Sequence, residues 1–210
     1  MSAIPTSDMP GHKQLHERVV TALDRCQESQ AVDFKESATW EQLKWRIVRT
    51  IMAMSNLRDG GVIVIGAAER DDDWDLSGIQ ENDLATYAVD DIIDIVNKYA
   101  SPPLSIEVVR VTYTDGQQFL AIQVREFEET PCVCKRNGME RVESFRQGDV
   151  FIRPPGKAQT KRVSTAEEMH DLLELAAEKR ARRIIETSHR IGLSPAPAGL
   201  SPFEEELEGL

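Results

Sequence analysis

The stretch "GGVIVIG", residues 60–66, constrains the fold of this chain most strongly. Its four consecutive apolar residues stand between glycines, which is the pattern of a strand buried in a sheet. The segment before it carries apolar residues at helical spacing, namely Leu43, Ile47, Ile51 and Met54. The two patterns together predict an amphipathic helix followed by a buried strand.

The rest of the chain alternates between helix and strand patterns. Helices are predicted over residues 12–27, from Trp40 to residue 56, around residues 84–96, and from Ser164 with Glu167 as its capping partner. Strands are predicted at residues 33–37, 62–68, 132–135, 141–145 and 149–153, and on both sides of a turn at Asp115-Gly116, while residues 69–78 read as an acidic loop. This order predicts an α+β, or α/β-like, fold with a single mixed β-sheet packed with helices.

The length of 210 residues corresponds to one domain with flanking segments. We expect a flexible N-terminus over residues 1–11 and a domain with a C-terminal helix over 12–190. Residues 191–210 offer too little apolar surface to fold and are expected to form a disordered acidic tail.

The apolar segments and the cysteines indicate the cellular compartment of the protein. No apolar run is long enough to span a membrane, and the N-terminus lacks the apolar segment of a signal peptide, so we expect a cytoplasmic protein with no membrane partner. An odd number of cysteines argues against a disulfide framework. Cys132 and Cys134 are expected to be buried side chains rather than metal ligands, because no partner at zinc-site spacing follows.

The charge distribution leaves nucleic acid open as a partner. The net charge of −11 argues against a protein that coats nucleic acid. However, residues 135–162 carry eight Lys or Arg against three acids, and such a segment can attract phosphate. A solvated charged surface explains the same segment equally well.

The stretch "DFKES", residues 33–37, follows the first predicted helix. In a strand, Val32 and Phe34 would enter the core while Asp33 and Lys35 would point out of it together. That outward pair is either a solvated sheet edge or a working site, and the local pattern does not decide between them.

Carboxylates are the strongest chemical signal in the sequence. Glu28 and Asp33 flank the entry to the first strand, and Glu69 lies just past the second. If the two strands are neighbours, these groups could hold Mg²⁺ or Mn²⁺ and activate a water for attack on a phosphodiester. From the residues alone, structural or solvated roles are favoured. The glycines at 60 and 61 could likewise admit a phosphate, although a tight connection into a strand is the simpler interpretation.

Six segments in order resemble the Schlafen-type AlbA domain, a module of vertebrate Schlafen cores and of many bacterial proteins. They are "ESQAVDFKES", "IMAMSNLRDGGVIVIGAAE", "WDLSGI", "YASPPLSIEV", "GQQFLAIQVREFEETP" and "GDVFIRPPGKA". The resemblance covers about residues 12–176. It implies a surface that faces nucleic acid and, in Schlafen nucleases, a three-carboxylate metal site that cleaves structured RNA such as tRNA.

The resemblance also implies roles for individual residues. The metal ligands and catalytic acids would be Glu28, Asp33 and Glu69, with Asp71 as an alternative to Glu69. The phosphate contacts would be Lys35, Asn56, Arg58, Arg153, Lys157 and Lys161. Because Schlafen cores pair two lobes and this chain has one, a homodimer with residues 172–190 at its interface is expected. Bacterial defence follows only by association with the family.

Three functions remain open at this point. The first is a nucleic-acid-binding protein that acts as a metal-dependent endoribonuclease on tRNA-like RNA. The second is a non-catalytic DNA- or RNA-binding regulatory module, and the third is an ATP-binding regulatory subunit that uses the 60–61 turn. The acidic tail is a solvated end, a partner-binding segment using Phe203 and Leu207, or a mimic of nucleic acid charge.

Overall fold

Five helices and ten strands are formed by the residues that the computed structural model describes, which are 4–7, 12–71, 73–114, 116–138 and 145–192. The helices are α1 (Lys13–Arg25), α2 (Trp40–Ser55), α3 (Glu81–Leu84), α4 (Val89–Tyr99) and α5 (Ala166–Arg190). The strands are β1 (Val32–Lys35), β2 (Gly61–Ile65), β3 (Ala68–Arg70), β4 (Asp73–Asp75), β5 (Ala100–Ser101), β6 (Ile106–Thr112), β7 (Gln118–Val124), β8 (Val133–Cys134), β9 (Phe151–Ile152) and β10 (Lys161–Arg162).

The main sheet has four strands in the order β1-β2-β7-β6. β1 and β2 are parallel and are joined through α2, while β2 with β7 and β7 with β6 are antiparallel. The sheet is therefore mixed, as predicted, and the α+β class is confirmed. β2 lies in its interior and is buried at all five positions, which confirms the reading of "GGVIVIG" as a buried strand.

Each face of the main sheet is covered by its own apolar cluster. On one face, Val19 and Leu23 of α1 pack with Phe34, Val64 and Phe119. The other face packs against α2 and α4, with Ile63, Ile65, Leu120, Ile122, Ile47, Ile51 and Ile92 among its buried residues. Because helices cover both faces, the two central strands β2 and β7 are buried at most of their positions.

Two segments between β2 and α4 differ from the prediction. Residues 69–78, predicted to be an acidic loop, contain the β3–β4 hairpin, in which Arg70 pairs with Asp75 at 3.2 Å and Trp74 packs edge-on against Phe34 at 4.9 Å. The helix predicted around residues 84–96 is split into α3 and α4. The break lets the Thr86 hydroxyl accept a hydrogen bond from the first amide of α2, so tertiary contacts outweigh helix periodicity there.

The structure also differs from the prediction at the two ends of the domain. α5 is capped by Thr165, whose hydroxyl accepts from the Glu168 amide at 3.2 Å, so the cap lies one residue later than predicted. Residues 4–7, within the predicted flexible N-terminus, hydrogen-bond to Arg110 of β6. Asp115 of the predicted turn, residues 141–144 of a predicted strand and residues 193–210 of the predicted tail lie outside the described residues.

Two further expectations concern the cysteines and the length of the helices. Cys132 and Cys134 are buried and free, which confirms that they are core side chains. Among the described helices, none combines the length and apolar character needed to cross a bilayer.

Candidate functional site

Asp33 points into the protein and not out of it. In the parallel register of β1 with β2, Asp33 lies beside Ile63 and Lys35 beside Ile65, so both side chains are on the face that α2 covers. Asp33 is only 3% exposed. The expectation that Asp33 and Lys35 point outward together is therefore wrong for Asp33, because both faces of this sheet are packed.

The buried carboxylate of Asp33 is compensated by Arg153. The guanidinium Nη1 donates to Asp33 Oδ1 at 2.9 Å, and Nη2 donates to the carbonyls of Ser29 and Val32 at 3.0 and 3.4 Å. Arg153 is 1% exposed, so its charge interacts with groups inside the protein and not with solvent. A buried pair of this kind adds little net stability, but the loss of one partner leaves a charge stranded. Arg153 thus ties the segment after β9 to β1.

Lys35 completes the neutralisation of Asp33. Its Nζ forms an ion pair with Asp33 Oδ2 without the alignment of a good hydrogen bond, and it donates to the Phe34 carbonyl at 3.0 Å. The side chain is 20% exposed, so it reaches the surface only in part. The resemblance implies that Lys35 contacts a phosphate or tunes Asp33, and its contacts favour the role beside Asp33.

Glu28 lies beside this pair and is also held by the backbone. Its Oε1 accepts a hydrogen bond from the Phe34 amide at 2.8 Å. Burial raises the pKa of the Glu28 carboxyl, the Phe34 amide opposes that rise, and the nearby Asp33 carboxylate adds to it. The structure thus brings Glu28 and Asp33 together, as predicted, but in a setting where each is already engaged.

Glu69, the predicted third metal ligand, is exposed on β3, and its alternative Asp71 is exposed in the turn that follows. No group of three or more His, Cys, Asp or Glu side chains that could hold a metal ion occurs within the described ranges. Both Asp33 oxygens are occupied by cationic side chains, so the residues as arranged do not fit a divalent metal at this point. The Mg²⁺ or Mn²⁺ site stays a prediction.

The turn that follows Arg153 is fixed by hydrogen bonds on its protein side and is exposed to solvent on the other side. Gln30 donates to the Arg153 carbonyl, and the Lys157 amide donates to the Pro154 carbonyl at 3.1 Å. Pro155, Gly156 and Lys157 are exposed. Lys157 forms no ion pair with a described residue. The buried Arg153 therefore anchors a turn on which Lys157 is exposed to solvent. The role predicted for Arg153 itself, phosphate contact, stays a prediction that its burial argues against.

Asn56, another predicted phosphate contact, is a structural link. Its side-chain nitrogen donates to the carbonyls of Cys132 and Phe151 at 3.0 and 2.9 Å, and its oxygen accepts from the Cys132 amide at 2.7 Å. The residue is buried at the C-terminal end of α2. Its polar atoms satisfy the backbone of two neighbouring segments, which leaves it little capacity for a ligand.

The predicted phosphate contacts Arg58, which is exposed, and Lys161, which is partly exposed, pair with carboxylates of α5. Arg58 Nη2 donates to Glu178 at 2.6 Å, and Lys161 pairs with Glu168. The Lys161 ammonium, together with the Ser164 amide, lowers the pKa of Glu168 to about 2. Both cations are thus at the surface but carry a competing anion.

A cleft of about 320 Å³ connects these contacts. Its walls come from residues 30–31, the end of α2, the 152–155 segment and the first turns of α5. Arg58 and Glu168 line the cleft. Lys161 forms an ion pair with Glu168, and Lys157 lies in the turn whose first residues form one wall. Of the predicted phosphate contacts, Asn56, Arg58 and Arg153 line the cleft, and only Arg58 among these three is exposed, while Lys157 and Lys161 lie on segments that adjoin it.

The glycines at 60 and 61 have a packing role. A side chain at Gly60, where φ is +63°, would place its Cβ 2.0 Å from the Val124 carbonyl oxygen. At Gly61 a Cβ would lie 2.5 Å from the Met54 sulfur. The close approach of neighbouring protein atoms explains both glycines, which favours the tight connection over a phosphate cradle.

Sequence reasoning missed the acidic face of α5. Glu168, Asp171, Leu172 and Leu175 line the cleft, and Glu178 continues the same face. Their positions follow the i, i+3, i+4, i+7 spacing of one side of a helix, and that spacing was the available signal. The contacts themselves depend on where α5 lies relative to α2.

The fold and these contacts define a class: an α+β domain built on one four-stranded mixed sheet with small two-stranded sheets beside it, and with a cleft bordered by cations and carboxylates. Residues 28–161 match the family model described as Schlafen, AlbA_2, and that match spans more than half of the chain. The chain therefore belongs to the Schlafen AlbA_2 family, as its motifs predicted.

Solved structures give more distant matches. The DIP2311 protein of Corynebacterium diphtheriae is 18% identical with a TM-score of 0.46, and the match covers 74% of this chain and 27% of that one. The N-terminal domain of a RecG-related protein of Nitrosomonas europaea is 18% identical with a TM-score of 0.46, and the match covers 72% of this chain and 95% of that domain. The chain thus spans only 27% of the length of the first of these proteins. No curated protein matches the chain.

Proposed function

We propose that this chain binds RNA or DNA through phosphate contacts around the cleft between α2, the 153–157 turn and α5. One observation carries the proposal: the exposed Arg58 lines the cleft, and the exposed Lys157 and the partly exposed Lys161 lie on segments beside it, although the chain as a whole has a net charge of −11. A local group of cations attracts phosphate even on an acidic protein. Membership of the Schlafen AlbA_2 family supports the same function.

The carboxylates of α5 do not prevent this binding. Arg58 and Glu178 are each about half exposed, and ion pairs between exposed side chains contribute about 0–1 kcal/mol. A phosphate can take the place of Glu178 on the Arg58 guanidinium, which favours bidentate anions. Glu178 and Glu168 would therefore act as exchangeable partners that hold Arg58 and Lys161 in place before nucleic acid arrives.

Metal-dependent cleavage of tRNA-like RNA stays a prediction of the family resemblance. The contacts of Asp33 weigh against a metal there, so we favour binding without cleavage as the function of the domain. The ATP-binding alternative loses its local support, because packing explains the glycines at 60 and 61. The homodimer stays a prediction that a molar mass in solution, with and without RNA, would test.

The experiment measures binding and cleavage separately. The full chain is mixed with labelled tRNA, duplex DNA or ATP, with and without Mn²⁺; anisotropy reports binding and a denaturing gel reports product. We expect salt-sensitive binding of nucleic acid without product. Product that appears in Mn²⁺ and is lost in Glu28→Gln/Asp33→Asn, with the fold intact by circular dichroism, would establish the nuclease instead. Thermal stabilisation by ATP alone would favour the nucleotide-binding alternative.

Charge variants locate the surface. In Arg58→Gln/Lys157→Gln/Lys161→Gln, we expect the affinity for nucleic acid to fall and the slope of log K against log salt to drop by about 1 per lost phosphate contact. The matched control is Lys13→Gln/Lys98→Gln/Lys135→Gln, which removes the same charge from exposed positions elsewhere. Equal losses in the two triple variants would mean that only total charge matters and would overturn the proposed surface.

A further inference from the structure

The distal segment of α5, defined here as residues 179–190 of the helix with the two residues that follow it, leaves the body of the domain. The buried residues of this helix are Leu172 and Leu175, which pack against Phe127, and none follows them. Beyond Lys179 and Arg183, which pair with Glu126 and Glu129, the segment makes no further ion pair with the described residues. Its own surface is therefore open along most of its circumference.

That open surface is apolar and basic. Ile184, Ile185 and Ile191 are 58%, 52% and 63% exposed. A cluster of large exposed apolar side chains on one helix marks an interaction surface more often than isolated ones do. The same segment carries five Lys or Arg and one Glu. A partner for it should combine apolar side chains with negative charge.

A groove runs along one side of the distal segment. It lies between residues 128–130 and α5, has a volume of about 520 Å³, and includes Arg180, Arg183 and Ile184 on its α5 wall. Arg183 is paired with Glu129 across the groove, while Arg180 is exposed and without an ion pair to any described residue. One apolar side chain beside Ile184 and a carboxylate beside Arg180 would fit the α5 wall, whereas the opposite wall carries Glu128 and Glu129.

The chain itself contains a segment of matching chemistry. Residues 201–210, "SPFEEELEGL", have four glutamates and no cation. Phe203, Leu207 and Leu210 are spaced at i, i+4 and i+7, which would place them on one side if the segment binds as a helix. Its charge is thus opposite to that of the distal segment, and its apolar residues match the exposed isoleucines.

The connection is long enough to bring the two together. Eight residues separate Gly192 from Ser201. At about 3.3 Å per residue they reach roughly 26 Å. The distance from Arg190 back to Arg180 along the helix is about 15 Å at 1.5 Å per residue. We propose that residues 201–210 dock on the distal segment of α5 in the same chain, with Phe203 in the groove beside Ile184 and glutamates beside Arg180.

Docking within one chain occurs at a high effective concentration, about millimolar for a short connection. A weak contact is therefore enough to keep the groove occupied. A second copy of the tail, added as a peptide, has to compete with the attached one. This competition can be measured without nucleic acid and does not depend on the proposed function.

The experiment uses the full chain and a labelled peptide of residues 199–210. We expect the peptide to bind the variant Phe203→Ser/Leu207→Ser, whose own tail is weakened, at least ten-fold more tightly than it binds the unaltered chain. Adding Ile184→Ser to that variant should abolish peptide binding. Adding Leu173→Ser should not, since Leu173 is equally exposed on the same helix but lies outside the groove. High salt should weaken binding because both sides are charged.

Several outcomes would overturn the inference. Equal peptide affinity for the unaltered chain and the Phe203→Ser/Leu207→Ser variant would mean that the attached tail does not occupy the groove. Binding that survives Ile184→Ser, with helix content unchanged by circular dichroism, would place the contact elsewhere. A dimeric mass of the unaltered chain that becomes monomeric in Phe203→Ser/Leu207→Ser would assign the groove to the tail of a second copy and reject docking within one chain.

Discussion

Two sets of ion pairs meet at the same cleft and have opposite roles. Asp33 and Arg153 are buried and pair with each other, with Lys35 as a second partner of Asp33 and two backbone carbonyls as further partners of Arg153, whereas Arg58–Glu178 and Lys161–Glu168 lie at the surface. The chemistry of the partners is the same in both sets, but the solvent around them differs. A buried pair fixes the position of a turn, while a surface pair is weak enough to exchange its carboxylate for a phosphate. Burial, and not residue type, therefore separates the supporting residues from the ligand-binding ones.

Removal of Arg153 should give the largest effect. Arg153→Met keeps much of the apolar volume but leaves the buried Asp33 carboxylate with Lys35 as its remaining cationic partner and removes the bonds to the Ser29 and Val32 carbonyls, so we expect the free energy of unfolding to fall by about 3–5 kcal/mol in denaturant titrations. The double variant Asp33→Asn/Arg153→Met should regain part of that loss, because the buried charge is gone. A loss below about 1 kcal/mol in the single variant would show that this pair is no more important than a surface pair.

Asn56 tests whether a second predicted phosphate contact is structural. Asn56→Ala removes three hydrogen bonds to buried backbone groups, and we expect the free energy of unfolding to fall by about 3 kcal/mol. Asn97→Ala is the matched control: it removes one hydrogen bond, to the Leu104 amide, and should cost about 1 kcal/mol. If Asn56→Ala leaves stability unchanged but weakens nucleic acid binding, the residue belongs to the exchangeable set.

Glu178 tests exchange at the surface. Glu178→Gln frees Arg58 from its carboxylate, so we expect nucleic acid to bind about three- to ten-fold more tightly at low salt, with stability changed by less than about 1 kcal/mol. Glu174→Gln makes the same charge change on the same helix, where the carboxylate forms its one ion pair with a described residue, His170, at 3.8 Å. An equal gain in both variants would reduce the effect to net charge and contradict a specific exchange.

Glu168 should give the smallest but most direct signal. Its pKa is lowered from 4.5 to about 2, so the ionised form is favoured in the folded protein. Its contribution to stability is complete above about pH 4.5 and is lost as the pH falls from there towards 2. A carboxyl titration by NMR should place the midpoint near 2 and show it rising in Lys161→Gln but not in Lys157→Gln. A midpoint near 4.5 in the unaltered chain would mean that the Lys161 pair does not form in solution.

Much of the fold was predictable because periodicity is local. The glycine-bounded apolar run of β2 and the apolar stripe of α2 identify a buried strand and its helix without any tertiary information. The hairpin at 68–75 was missed, because an acidic stretch looks like a loop until Arg70 and Trp74 find their partners. The candidate site followed the same division: the sequence placed Glu28 beside Asp33 and put Asp33 on the face opposite Phe34, but it could not show that α2 covers that face.

By itself, the sequence determined the order of elements, the α+β class and the family, since each depends on spacing along the chain. Only the tertiary structure decided which charges meet. Asp33 and Arg153 are 120 residues apart and pair only because β1 and the segment after β9 pack together, and the carboxylates of α5 face Arg58 and Lys161 only through the position of that helix. A charge acquires its role from its partner and from the water around it, and both are set by long-range packing.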